Sequence, residues 1–84
     1  MDRKLRQQKL KMWKENLADL EKQLSEILIK KGQAAQEGDL SENAAYTMAI
    51  EDAVTTRVRI EEVKKIIKGL EGPHYAEASR GKGK

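Results

Sequence analysis

Residues 34–46 read Ala34-Ala35-Gln36-Glu37-Gly38-Asp39-Leu40-Ser41-Glu42-Asn43-Ala44-Ala45-Tyr46. A glycine and a cluster of acids here interrupt two long helical patterns, so this stretch decides how the chain folds back. It lies inside a longer run, Gly32 to Thr56, that holds five acids (Glu37, Asp39, Glu42, Glu51, Asp52) and no Lys or Arg. The 14 acids less these five leave nine, set against all 17 basic residues in the rest of the chain. The run therefore carries a formal −5 and the remainder +8. Such polarity governs what each part of the molecule can touch.

On the N-terminal side, Leu10, Trp13, Leu17, Leu20, Leu24, Ile27, Lys31 and Ala34 alternate in steps of three and four. On the C-terminal side, Tyr46, Ala49, Ala53, Thr56, Ile60, Val63, Ile67 and Leu70 repeat that spacing. A mean period of about 3.5 is the coiled-coil seam, where each apolar side chain fits between those of a facing helix. The connection is short, so the helices are expected to be antiparallel neighbours. Folding the chain about residues 38 and 39 sets Leu17 opposite Ile60, Leu24 opposite Ala53 and Leu10 opposite Ile67. Near the bend, large Leu24, Ile27 and Leu28 meet small Ala49 and Ala53. The heptads alone also permit an intermolecular bundle; the break at Gly38 favours a hairpin.

The expected fold is all-α: an antiparallel two-helix coiled-coil hairpin over residues 1–71 with an acidic tip. Helix one covers about 3–36, the tip 37–41 and helix two about 40–70. A glycine of Gly69-Leu70-Glu71-Gly72-Pro73 supplies the C-cap, and the proline blocks continuation. Residues 72–84 end in Ser-Arg-Gly-Lys-Gly-Lys and are expected to form a flexible basic tail. In solution the expectation is a monomer or weak homodimer, the latter through apolar positions such as Met12 or Ile29.

Composition agrees with a rod. The chain has 84 residues, is 38% hydrophobic and 37% charged, and holds one Trp and no Phe. That is enough apolar mass for a seam but not for a thick core. With no Cys there are no disulfides and no thiolate metal sites, which fits a reducing compartment. Apolar runs such as Ile27-Leu28-Ile29 stop at three residues, far short of the roughly 20 of a membrane span. The basic start Arg3-Lys4-Leu5-Arg6 has no apolar segment behind it, so no targeting peptide is expected. The protein is expected to be soluble, unprocessed and cytoplasmic.

At the tip, Asp39 and Glu42 stand three residues apart. As N-cap and N3 of helix two they would form a capping box, their carboxylates taking up free backbone N–H groups. A second reading is divalent-metal binding, since Mg²⁺ usually takes one or two protein carboxylates and completes its shell elsewhere. Two carboxylates on a protruding tip would complete a site supplied by a partner. The readings are compatible. Independent catalysis is not expected: the only His, His74, lies in the tail, Ser41 has no base nearby, and no Gly-rich phosphate loop occurs. Tyr46 sits on the seam one turn beyond Glu42. Lys30, Lys31, Arg57 and Arg59 border the acid-only run; they suit either a solvated flank or a nucleic-acid backbone.

The run Gly38-Asp39-Leu40-Ser41-Glu42-Asn43-Ala44-Ala45-Tyr46 resembles the hairpin-tip motif of Gre-type bacterial transcript cleavage factors. Helix one and the later Ala49, Glu51 and Arg57 also fit that family's N-terminal coiled-coil domain. The resemblance implies a rod that enters the secondary channel of bacterial RNA polymerase and brings its acids to the active centre. There Asp39 and Glu42 would help hold Mg²⁺ and orient water, so that the polymerase cleaves the 3′ end of its own backtracked RNA. Gly38, Leu40, Ser41, Asn43 and Tyr46 would support the tip. The chain would be an accessory factor rather than an enzyme, associated with the nucleoid through the polymerase. Ala45 and Thr47 stand where family members usually carry an acid and a His, which leaves this tip less charged. The family's globular C-terminal docking domain has no counterpart before Lys84, so weaker binding is expected. The alternatives are an inhibitor that occupies the channel without stimulating cleavage, and a generic coiled-coil adaptor.

Overall fold

The computed structural model describes residues 2–72. Helix α1 runs over Arg3–Ala35 and helix α2 over Ala44–Glu71, joined by a single 3-10 turn at Leu40–Glu42. At about 1.5 Å per residue these are rods of roughly 50 and 42 Å. They pack against each other as an all-α antiparallel coiled-coil hairpin, and no strand occurs among the described residues. The expected basic tail, His74 included, lies beyond Gly72, outside the described residues.

Burial follows the heptads. In α2 every position that is not exposed is one of Tyr46, Ala49, Ala53, Thr56, Ile60, Val63, Ile67 and Leu70. In α1 the eight seam positions are all covered or half-covered, joined only by Arg6 and Ala35. Lys31 is half-buried, as a long aliphatic stem with its ammonium in water permits. The two sides of the seam are unequal. The large α1 residues Leu10, Trp13, Leu17, Leu20, Leu24 and Ile27 are half-buried, whereas Ile60, Val63 and Ile67 of α2 are fully covered. The larger side chains drape over the smaller ones, and with no third layer their outer surfaces stay wet. Each fully covered aliphatic contributes about 2 kcal/mol.

Toward the bend the seam narrows to alanine. Ala34, Ala49 and Ala53 are buried there, which lets the backbones approach closely. At the opposite end Lys14 reaches Glu71 across the helices at 3.8 Å, an exposed pair that adds little stability.

The start of helix two differs from the sequence expectation, and the structure shows which glycine ends it. Helix two begins at Ala44 rather than near residue 40, because Leu40–Glu42 closes its own 3-10 turn and Asn43 then takes extended backbone angles. The reversal is consequently centred between Ala35 and Ala44, about one residue later than a fold about 38 and 39. At the far end Gly72, with φ 111°, terminates α2, while Gly69 stays helical. Only glycine occupies that positive-φ region without strain.

Candidate functional site

The tip is assembled by three successive local devices. Helix α1 closes with a tightened last turn in which Gln36 N–H donates to Gln33 O (3.2 Å) and Glu37 N–H donates to Ala34 O (3.1 Å). Gly38 follows at φ 125°, a backbone turn that frees the chain from the helix axis. Asp39 then caps the 3-10 turn. Its Oδ1 accepts from Ser41 N–H at 3.0 Å and from Ser41 Oγ–H at 2.8 Å.

The third device is Asn43. Its side-chain Oδ1 accepts from Tyr46 N–H at 3.1 Å, so Asn43 is the N-cap of α2. Its Nδ2 donates to Ala34 O at 2.7 Å, back across the bend to the end of α1. A carbonyl in the last turn of a helix lacks an intrahelical partner, and Asn43 supplies a second donor to it. The two contacts fix the amide's orientation, since Oδ1 meets a donor and Nδ2 meets an acceptor.

This corrects the capping-box expectation. Asp39 caps the 3-10 turn and not α2, and Glu42 lies before the α-helix rather than at its third position. The reason is local competition. Ser41 offers Asp39 two donors within two residues, and only an amide can both cap α2 and donate to Ala34 O. Glu42 is thereby left free: among the described residues nothing donates to its carboxylate.

The electrostatics follow from the same bonds. The Ser41 hydroxyl first, and the Ser41 backbone N–H second, hold the Asp39 carboxyl below the ordinary carboxylate value. These bonds favour its charged form and engage one oxygen; among the described residues nothing donates to Oδ2. Among the described residues no group of three His, Cys, Asp or Glu forms a metal cage. Asp39 and Glu42 could by themselves supply only part of the oxygen shell a hard cation takes.

Tyr46 is half-buried on the seam, and Leu40 and Ser41 are exposed at the tip. The flanking bases separate into different settings. Arg59 pairs with Glu62 at 3.3 Å on an exposed face, and Lys30 lines a groove of about 430 Å³ with Glu37, Met48 and Asp52. The structure does not gather the four bases into one site. The residue whose weight sequence reasoning underestimated is Asn43; the signal was an Asn directly before the Ala-Ala-Tyr start of a heptad run.

Residues 4–71 match the family model described as transcription elongation factor, N-terminal (GreA/GreB). The chain belongs to this family. Its Gre-type domain thus takes in both helices and the tip, from the first turn of α1 to the end of α2. Transcription elongation factor GreA of Lachnoclostridium phytofermentans is 40% identical over 63 residues, covering 74% of this chain and 39% of that protein. The chain thus spans less than half the length of this Gre relative. No solved structure matches it. In helix one of this Gre-type domain, no window is long and apolar enough to cross a membrane, and the same holds for helix two.

Proposed function

We propose that this chain is a secondary-channel factor of bacterial RNA polymerase whose tip supports metal-dependent cleavage of backtracked RNA by the polymerase. The observation that carries the proposal is the tip itself. An ionised Asp39 with one oxygen uncommitted and an unengaged Glu42 stand at the end of a rod roughly 50 Å long. A rod of that shape delivers carboxylates into a narrow passage that a globular protein could not enter.

In this reading the chain is not itself an enzyme; it lends two ligands to an active centre built by its partner. Asp39 and Glu42 would hold a Mg²⁺ ion shared with the polymerase, which when bound would supply Lewis-acid activation of water and charge neutralisation at the leaving oxygen. Ser41 orients Asp39 and favours its charged form. Glu42, to which nothing donates among the described residues, is available to a cation or to a water proton. Gly38 lets the chain leave the axis of α1, Tyr46 sits half-buried in the first turn of α2, and Leu40 stands exposed at the tip, where a partner surface can meet it. The working environment is the bacterial cytoplasm and nucleoid, and the working form is a monomer or a weak homodimer.

The test is an RNA cleavage assay on stalled elongation complexes, with wild-type protein beside Asp39→Asn/Glu42→Gln. The expected result is shortening of the RNA 3′ end by wild type only, with equal helicity for both proteins. Transcription slowed without cleavage by either form would replace the proposal with channel occupation. No binding to polymerase at all would leave only an adaptor role.

A further inference from the structure

Asn43 touches none of the atoms assigned to metal binding, yet among the described residues it makes the one side-chain hydrogen bond that joins the start of α2 to the end of α1. From its two hydrogen bonds we infer that Asn43 is a positioning residue for the reaction: its tie to Ala34 O sets where Asp39 and Glu42 stand relative to the rod. The inference rests on the function proposed above and deepens it.

The tie completes a closed loop. From Ala34 the chain passes through Gln36, Gly38 and the 3-10 turn to Asn43, and the 2.7 Å bond returns to Ala34. Both acids lie inside that loop. Outside it, each end is anchored by packing, through buried Ala34 on α1 and buried Ala49 on α2. Within it, the side-chain bonds among the described residues are those Asp39 accepts from Ser41, which shape the turn but do not tie it to either helix. Asn43 therefore transmits the rigidity of the coiled coil to the acids. The bond is part-buried, so water competes with it less than with the exposed bonds of Asp39.

The alanine seam serves the same end. An asparagine side chain spans only a few ångströms, and it bridges the helices because Ala34 and Ala49 let them approach closely. Larger residues at those positions would move Ala34 O out of reach. The small residues at the tip thus hold a hydrogen-bond distance as well as a packing distance.

Capping and tying can be separated by substitution. Asn43→Ser keeps a neutral N-cap acceptor of similar strength, but its side chain is too short to reach Ala34 O. Asn43→Asp keeps the acceptor and loses the donor. If the tie positions the acids, both variants retain α2 helicity and compete with wild type for polymerase. Both cleave about ten- to a hundredfold more slowly at saturating protein, the scale expected for an ångström-level misplacement. Both also require more Mg²⁺ for half-maximal rate. Independently of activity, backbone ¹⁵N order parameters of residues 39–42 fall in Asn43→Ser while those of residues 50–65 stay constant.

Wild-type order parameters and the wild-type cleavage rate in Asn43→Ser would overturn the inference. So would a rate defect removed by raising protein concentration, which would assign Asn43 to binding. A wild-type protein that fails to cleave refutes the proposed function instead. In that case the order parameters alone decide whether the tie holds the tip.

Discussion

Val58 and Val63 lie five residues apart on α2, yet the seam makes opposite predictions for them. Val63 is 0% exposed between the helices, and Val58 is 55% exposed on the outer face. Val63→Ala removes two buried carbon groups at about 0.8 kcal/mol each, close to 1.6 kcal/mol. Incomplete collapse around the vacated space raises this to roughly 2–2.5 kcal/mol. Alanine's better helix propensity returns about 0.5 kcal/mol, leaving a net loss of about 1.5–2 kcal/mol. Val58→Ala gains the same propensity and gives up little burial, so its effect stays within about 0.5 kcal/mol of zero. For a domain of this size 1 kcal/mol moves Tm by about 4–8 °C, so Val63→Ala lowers it by roughly 10 °C. Far-UV circular dichroism melts, run at two protein concentrations to check that both unfold as single molecules, provide the assay. Equal Tm shifts for the two variants would refute the seam as the source of stability.

Other consequences concern the tip. Ser41→Ala removes the larger influence on Asp39 and leaves the backbone N–H, so the Asp39 pKa rises toward its ordinary value; a carboxyl ¹³C titration reads this directly. Because the folded carboxyl titrates below its unfolded value, the Asp39–Ser41 turn is stabilising above about pH 4 and loses that contribution as pH falls through the lower folded value. Ser41→Ala should flatten this acid-limb dependence in the chemical shifts of residues 39–42. Gly38→Ala forces an L-residue into φ 125° and is expected to destabilise the hairpin by about 1–3 kcal/mol. By contrast Gly32→Ala, in open space within α1, is expected to stabilise it by up to about 1 kcal/mol; urea melts distinguish the two.

The rod was legible because a heptad is a long-range signal made of many weak ones. All sixteen seam positions, from Leu10 to Leu70, are covered or half-covered, including polar Lys31 and Thr56. Its tip was less legible because helix starts are decided by a few competing hydrogen bonds. Asp39 and Asn43 are both good N-caps by residue type, and an Asp-x-x-Glu spacing favours the first. What selects Asn43 is a carbonyl nine residues earlier, brought near by Ala34 and Ala49 packing. No local pattern contains that contact. Gly69 and Gly72 pose the same problem at the other end, where only the chain's actual φ shows which glycine stops the helix.

The shift from capping box to separate caps also alters the chemistry at the tip. A Glu42 folded back on an N-cap would have its oxygens engaged before meeting any cation. With Asn43 holding α2, both acids precede the α-helix, and among the described residues nothing donates to the Glu42 carboxylate. The cap of α2 thus falls to the Asn43 amide, and Asp39 caps only the 3-10 turn before it.

The central claim is that the hairpin brings Asp39 and Glu42 to the polymerase active centre, and competition tests it most directly. Backtracked complexes with labelled RNA are mixed with a fixed amount of wild-type protein and increasing Asp39→Asn/Glu42→Gln. The double variant should slow cleavage in proportion to its excess, because it fills the same channel without the two ligands. RNA that is shortened equally fast by the double variant alone would contradict the account.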